Sequence, residues 1–67
     1  MHFNLFFLDS FESEFKGKKY EIYRFLDIQS LQIISGTDLK GVFKQYELYK
    51  CRVEWKNKKL KVVGVQQ

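Results

Sequence analysis

Hydrophobic and polar residues alternate along most of this chain with a period of two, the spacing that puts successive side chains on opposite faces of a β-strand. Phe3, Leu5, Phe7, Phe11 and Phe15 share one parity, while Asn4, Ser10, Glu12 and Glu14 share the other. Phe6 and Leu8 break the pattern, which predicts one long first strand bent near Asp9-Ser10, the curl that a strand serving both halves of a barrel must have. Lys16-Gly17-Lys18 predicts a hairpin turn, with Gly17 free to take positive φ. Lys19 to Ile28, rich in aromatic and β-branched residues, predicts a second strand.

Turn formers in Asp27-Ile28-Gln29-Ser30 return the chain as a third strand, Leu31 to Ser35, which Gly36 is expected to stop. Thr37 or Asp38 then caps a short helix over Leu39 to Tyr46, limited to one or two turns because Gly41 costs about 1 kcal/mol relative to Ala. The clearest segment is Glu47 to Trp55. Tyr49, Cys51, Val53 and Trp55 read as its buried face, and Leu48, Lys50, Arg52 and Glu54 as its wet one. Lys56-Asn57-Lys58-Lys59 predicts a tight turn, and Leu60 to Val65 a last strand in which Gly64 marks a bulge or a close approach. The order β-β-β-(short helix)-β-β with a long first strand fits an all-β, five-stranded Greek-key barrel of the OB type, and an SH3-like barrel is the runner-up.

The chain has 67 residues, no proline and no internal repeat, so residues 1–67 are expected to form one domain. Seven Phe, four Tyr and one Trp supply the bulk that so small a core needs, and their surplus points to a binding face or a subunit interface. Cys51 is the only cysteine, which excludes an intramolecular disulfide or a multi-thiolate metal site within one chain and fits a reducing, cytoplasmic setting. The apolar N-terminal stretch lacks a basic leader and meets Asp9 too soon for a signal peptide or a membrane span. With one histidine, no phosphate-cradling glycine loop and Cys51 on a buried parity, no enzyme and no cofactor are expected.

The net charge of +4 divides into −2 over residues 1–38 and +6 over residues 39–67, a polarity suited to a polyanion on one side or to a solubilising surface. The second strand carries apolar or aromatic groups on both parities, and Tyr23 and Phe25 are assigned to the outside, opposite Ile22 and Leu26. Outward rings there would stack on bases, with Lys50 and Arg52 on the fourth strand and Lys56, Lys58, Lys59 and Lys61 around the last turn holding the backbone. The competing readings are a dimer interface for Tyr23 and Phe25, and lysines that merely protect an edge hairpin.

Gly17-Lys18-Lys19-Tyr20 followed by Tyr23-Arg24-Phe25-Leu26-Asp27 resembles the small OB-fold single-stranded-DNA-binding proteins of phages and mobile elements, including the helix-destabilising proteins of filamentous phage. The resemblance extends through Leu31 to Ser35 and the basic hairpin, about three quarters of the chain. It implies a non-catalytic protein, usually a homodimer, that binds single-stranded DNA through Lys18, Lys19, Tyr20, Tyr23, Arg24 and Phe25 with little sequence preference. This chain is shorter than typical members and lacks their acidic tail, which leaves cooperative binding without a carrier. A β-barrel that docks on a protein partner, such as a phage or plasmid inhibitor, is the alternative function.

Overall fold

The computed structural model describes residues 1–66. They form five strands, β1 (His2–Phe15), β2 (Lys18–Asp27), β3 (Gln32–Thr37), β4 (Leu48–Lys56) and β5 (Lys59–Gln66), joined in one closed ring in the order β1-β2-β3-β5-β4. Four seams are antiparallel, and the β3–β5 seam is parallel and short, pairing Ser35 with Lys61 and Gly36 with Val62.

Both hairpin turns place two consecutive residues at positive φ, Lys16 and Gly17 in one and Asn57 and Lys58 in the other, the geometry whose twist matches that of paired strands. Between β2 and β3, the Asp27 carboxylate accepts hydrogen bonds from the Gln29 amide at 3.0 Å and the Ser30 hydroxyl at 3.0 Å and so fixes the turn.

Directly paired residues on neighbouring strands share a face, so the buried residues orient the whole sheet. Leu5, Phe7, Phe25, Ile34, Cys51, Val53 and Val62 form the core. Phe25 lies opposite both Phe7 and Ile34 and is fully buried, and Tyr23 packs against the same core. The outward assignment of Tyr23 and Phe25 is therefore corrected. On β2 it is Tyr20, Ile22, Arg24 and Leu26 that face out. The strand carries apolar groups on both parities, and only its partners decide which set the barrel encloses.

The predicted bend in β1 is a register shift between Phe7 and Asp9, with Leu8 as the extra residue. One inserted residue exchanges the faces of everything after it. Phe11 and Phe15, on the parity of Leu5 and Phe7, are consequently exposed, as part of the outer face opposite Ile22 and Lys18.

The expected helix over Leu39 to Tyr46 is absent. Asp38, Gly41 and Tyr46 all have positive φ, and the segment's amides turn to other partners: Asp38 donates to the Glu21 carbonyl and Tyr46 to the Phe7 carbonyl, while Lys44 donates to the Tyr49 hydroxyl. This irregular path carries Phe43 onto the core, where its ring centroid lies 5.4–5.9 Å from those of Phe7, Tyr23, Phe25 and Tyr49. The contacts to Tyr23, Phe25 and Tyr49 are edge-to-face, which suits aromatic quadrupoles, and the one to Phe7 is tilted. A single ring plugs the barrel where a helix was expected.

Gly36 does not stop β3 but lies inside it, buried at the parallel seam. A Cβ there would lie 2.8 Å from the Val62 carbonyl oxygen and 2.8 Å from Leu39 Cδ1, so a close approach is found at Gly36, and of the two readings of Gly64 it is the bulge that the strand shows. Gly64 adjoins the second register shift, where β5 fits one extra residue, Val63, opposite the step from Arg52 to Val53.

Candidate functional site

Pairing across the ring lays the outward side chains of β1, β2 and β3 in rows. Phe6, Leu26 and Ile33 form an apolar row that continues to Leu48 on β4. The next row is Asp9, Arg24, Ser35 and Lys61, and after it come Phe11, Ile22 and Thr37. Beyond the barrel, the β1–β2 hairpin adds Tyr20, Phe15 and Lys18 to the same side. Cations sit over three of these rings: Lys16 over Phe15 at 5.4 Å, Lys18 over Tyr20 at 5.6 Å and Arg24 over Phe11 at 6.0 Å. The opposite face of the hairpin is acidic, with Glu12, Glu14 and Glu21, and Lys19 stands among them 3.9 Å from Glu12.

On the other flank, β3 and β5 are paired only from Ser35 and Lys61 onward, and toward the β4–β5 turn they diverge. The open groove between them, roughly 530 Å³, is lined by Gln32, Ile33 and Ser35 on one side and by Trp55, Lys58, Lys59, Leu60 and Lys61 on the other. Lys56 and Asn57 reach an adjoining hollow beside Thr37. Trp55, expected in the core, is 66% exposed. It pairs with Leu60 on the inward parity of the hairpin, one residue beyond the last pairing of the β3–β5 seam, and there Leu60 packs against the core while the Trp55 ring lies exposed in the groove.

Of the residues singled out from sequence, Lys18, Tyr20 and Arg24 lie on this outer face and Lys56, Lys58 and Lys59 border it from the hairpin tip. Tyr23 and Phe25 belong to the interior, and Lys19 to the acidic side. Lys50 and Arg52 face outward on β4 opposite Asn4 and His2, separated from β2 by β1, and Arg52 lies 4.0 Å from Glu54. Lys61, also expected around the last turn, lines the groove, whereas sequence reasoning missed Trp55, Ile33 and Phe11 as members of this surface. The signal for Trp55 was its place two residues before Asn57, too near a hairpin tip to be covered.

Arg24 is the most constrained cation of the face. Its Nε donates to Asp9 Oδ1 at 2.7 Å and its Nη2 to Asp9 Oδ2 at 2.6 Å, a two-pronged pair. The Arg24 hydrogen bonds, helped by its charge, hold the Asp9 carboxyl below its ordinary range, and the same bonds raise Arg24. Both stay ionised near neutral pH.

Cys51 is buried, and desolvation pushes its thiol up to about 11. Thiol reagents at pH 8 are expected to leave Cys51 untouched in the folded protein and to modify it at the rate of unfolding, which mass spectrometry in increasing urea would read. Fast modification without urea would mean that the thiol is accessible. Because the folded-state value is the higher one, ionisation favours the unfolded chain, and stability falls as pH rises above 9.

Among the described residues no group of His, Cys, Asp and Glu is placed to hold a metal ion, and no helix is long and apolar enough to cross a membrane. Compared with known proteins, the chain matches no family model, no curated protein and no solved structure.

Proposed function

We propose that this protein binds single-stranded nucleic acid along the outer face of β1, β2 and β3, between its two projecting hairpins. The observation that carries the reading is Trp55, exposed in a groove against Ile33 with Lys58, Lys59 and Lys61 around it. An aromatic face offers any base a stacking surface worth about 1–3 kcal/mol, and neighbouring ammonium groups hold the phosphates without reading sequence. Phe11, Phe15 and Tyr20, each beside a cation, extend the platform toward the other hairpin. Lys50 and Arg52 enter this reading only through the positive field that attracts the strand.

The ring order, with the fifth strand lying between the third and the fourth, supports an OB-type Greek-key barrel over the SH3-like alternative. In barrels of the OB type the face of the second and third strands and the loops flanking it are where nucleic acids bind. A protein-docking barrel is the second reading, favoured by the apolar row from Leu48 to Ile33, in which Leu48 and Ile33 are both exposed.

The test is a titration of a labelled single-stranded oligonucleotide at two salt concentrations, followed also through Trp55, whose fluorescence a stacked base would quench. Trp55→Ala is expected to lose about 1–3 kcal/mol of affinity with the salt slope unchanged. Its melting should stay within about 1 kcal/mol of the parent, as for an exposed side chain. Lys58→Ala with Lys59→Ala should instead lower the log–log salt slope by up to about 0.7 for each phosphate no longer neutralised. Absence of binding at low salt, or a salt-independent affinity, overturns the reading in favour of protein docking.

A further inference from the structure

The β1–β2 hairpin runs past the barrel and leaves one edge of β1 without a neighbouring strand. As far as Phe6 that edge is paired with β4, and at Phe7 the amide donates to the Glu47 carbonyl while the carbonyl accepts from the Tyr46 amide. From Ser10 to Phe15, β1 is paired with β2 alone, and among the described residues no strand lies on its other side. Ser10, Phe11, Glu12, Glu14 and Phe15 are exposed. In an antiparallel ladder every second residue turns its N–H and C=O away from its partner, so this edge presents a row of backbone donors and acceptors on which a further strand can form.

Pairing sorts the side chains of this edge into two unlike faces. Phe11 and Phe15 lie on the side of Ile22 and Tyr20, whereas Glu12 and Glu14 lie on that of Glu21 and Lys19. The second face thus sets three carboxylates against one ammonium, and the Lys19 contact with Glu12 is long, 3.9 Å, with the Glu12 side chain 64% exposed. A second copy of the same edge would bring carboxylates against carboxylates in an antiparallel pair and against phenyl rings in a parallel one, both unfavourable. A strand with cations at alternate positions meets neither obstacle. Its intervening side chains would lie along Phe11 and Phe15, where β-branched residues pair well with aromatic ones. We propose that this edge receives an extended protein segment in which lysine or arginine alternates with apolar residues, added to β1 as a further strand. Main-chain hydrogen bonds give such additions their affinity, and the alternate side chains give them specificity. The inference does not rest on the single-strand reading, with which it shares only Phe11 and Phe15.

The experiment titrates a capped peptide of alternating lysine and valine into the parent protein and follows amide hydrogen exchange by NMR. A peptide of about seven residues, at roughly 3.3 Å per residue, spans Ser10 to Phe15. Binding is expected to slow the alternate amides between Ser10 and Phe15 that exchange fast in the free protein. The same peptide methylated at its backbone nitrogens keeps every side chain and should bind at least about tenfold more weakly, the loss of a few net hydrogen bonds. A peptide of alternating glutamate and valine should not bind. Glu12→Gln with Glu14→Gln should weaken the lysine peptide by at least about threefold, the worth of two opposite-charge cross-strand pairs. Unchanged exchange along the edge, or equal binding of the methylated or the glutamate peptide, overturns the proposal. An unchanged affinity in the double variant overturns the selection by charge. Protection of these amides that grows with protein concentration alone, without peptide, assigns the edge to a second copy and overturns the proposal too.

Discussion

Replacing Phe25 by Ala is expected to leave the chain largely unfolded at room temperature. The ring is fully buried, 5.4 Å from Phe7 and 5.9 Å from Phe43, and its removal opens a cavity at the junction of β1, β2 and β3. Such truncations cost about 3–5 kcal/mol, and a core in a domain this small rarely supplies more than about 3–5 kcal/mol in total. Circular dichroism and urea titration of Phe25→Ala, with Tyr23→Phe as a partner variant that keeps its ring and should melt near the parent, provide the measurement. A Phe25→Ala protein as stable as the parent would mean that β2 turns its other face inward, with Ile22 and Leu26 in the core.

Gly36→Ala is expected to be nearly as damaging, for the opposite physical reason. Its Cβ meets a backbone oxygen, that of Val62, and the seam that would have to yield consists of two residue pairs. Overpacking of this kind costs about 1–3 kcal/mol and occasionally more, and here it acts on the seam that closes the ring. Gly64→Ala is the matched comparison, because an added methyl group finds nothing within 4 Å. That variant should be neutral, or up to about 1 kcal/mol more stable through a stiffer unfolded chain. Thermal melts of the two side by side decide the matter, and equal losses would mean that the penalty is a general cost of replacing strand glycines.

Much of the fold is legible in the sequence because alternation reports strands well. All five strands, both hairpin turns and the burial of Cys51 and Val53 follow from it. What alternation does not carry is the sign of a face where both parities are apolar, and β2 is such a strand, so Tyr23 and Phe25 read as outward although their neighbours enclose them. It also assumes that parity persists. Leu8 interrupts it, and Phe11 and Phe15 change sides without any change in their own spacing.

The helix fails for a third reason. Leu39 to Tyr46 has the length and a plausible cap, but the barrel needs a large ring at one position more than it needs a regular backbone, and Phe43 supplies it. The candidate site is half legible. The lysines around Asn57 stand out by composition, whereas the groove they border exists only because β3 and β5 diverge, a relation between segments far apart in the chain. Trp55 follows its strand's parity faithfully, and parity is uninformative where β3 and β5 part and leave the barrel wall open.

The ring also dictates an order of events during folding. Its β1–β2, β2–β3 and β4–β5 seams join neighbours in the chain and can form locally, while the other two bring Leu5 to Tyr49 and Ser35 to Lys61. Those distant pairings must bear loop-closure entropy before any contact rewards it, which places them late and makes their formation the slow step. β5 is the strand that fastens β3 to β4, and it follows the other four in the sequence. On a ribosome, the β1–β2–β3 meander therefore emerges with its Phe25 side uncovered and waits for the rest of the chain. The interval between synthesis of β3 and of β5 is the period in which this protein is most exposed to aggregation.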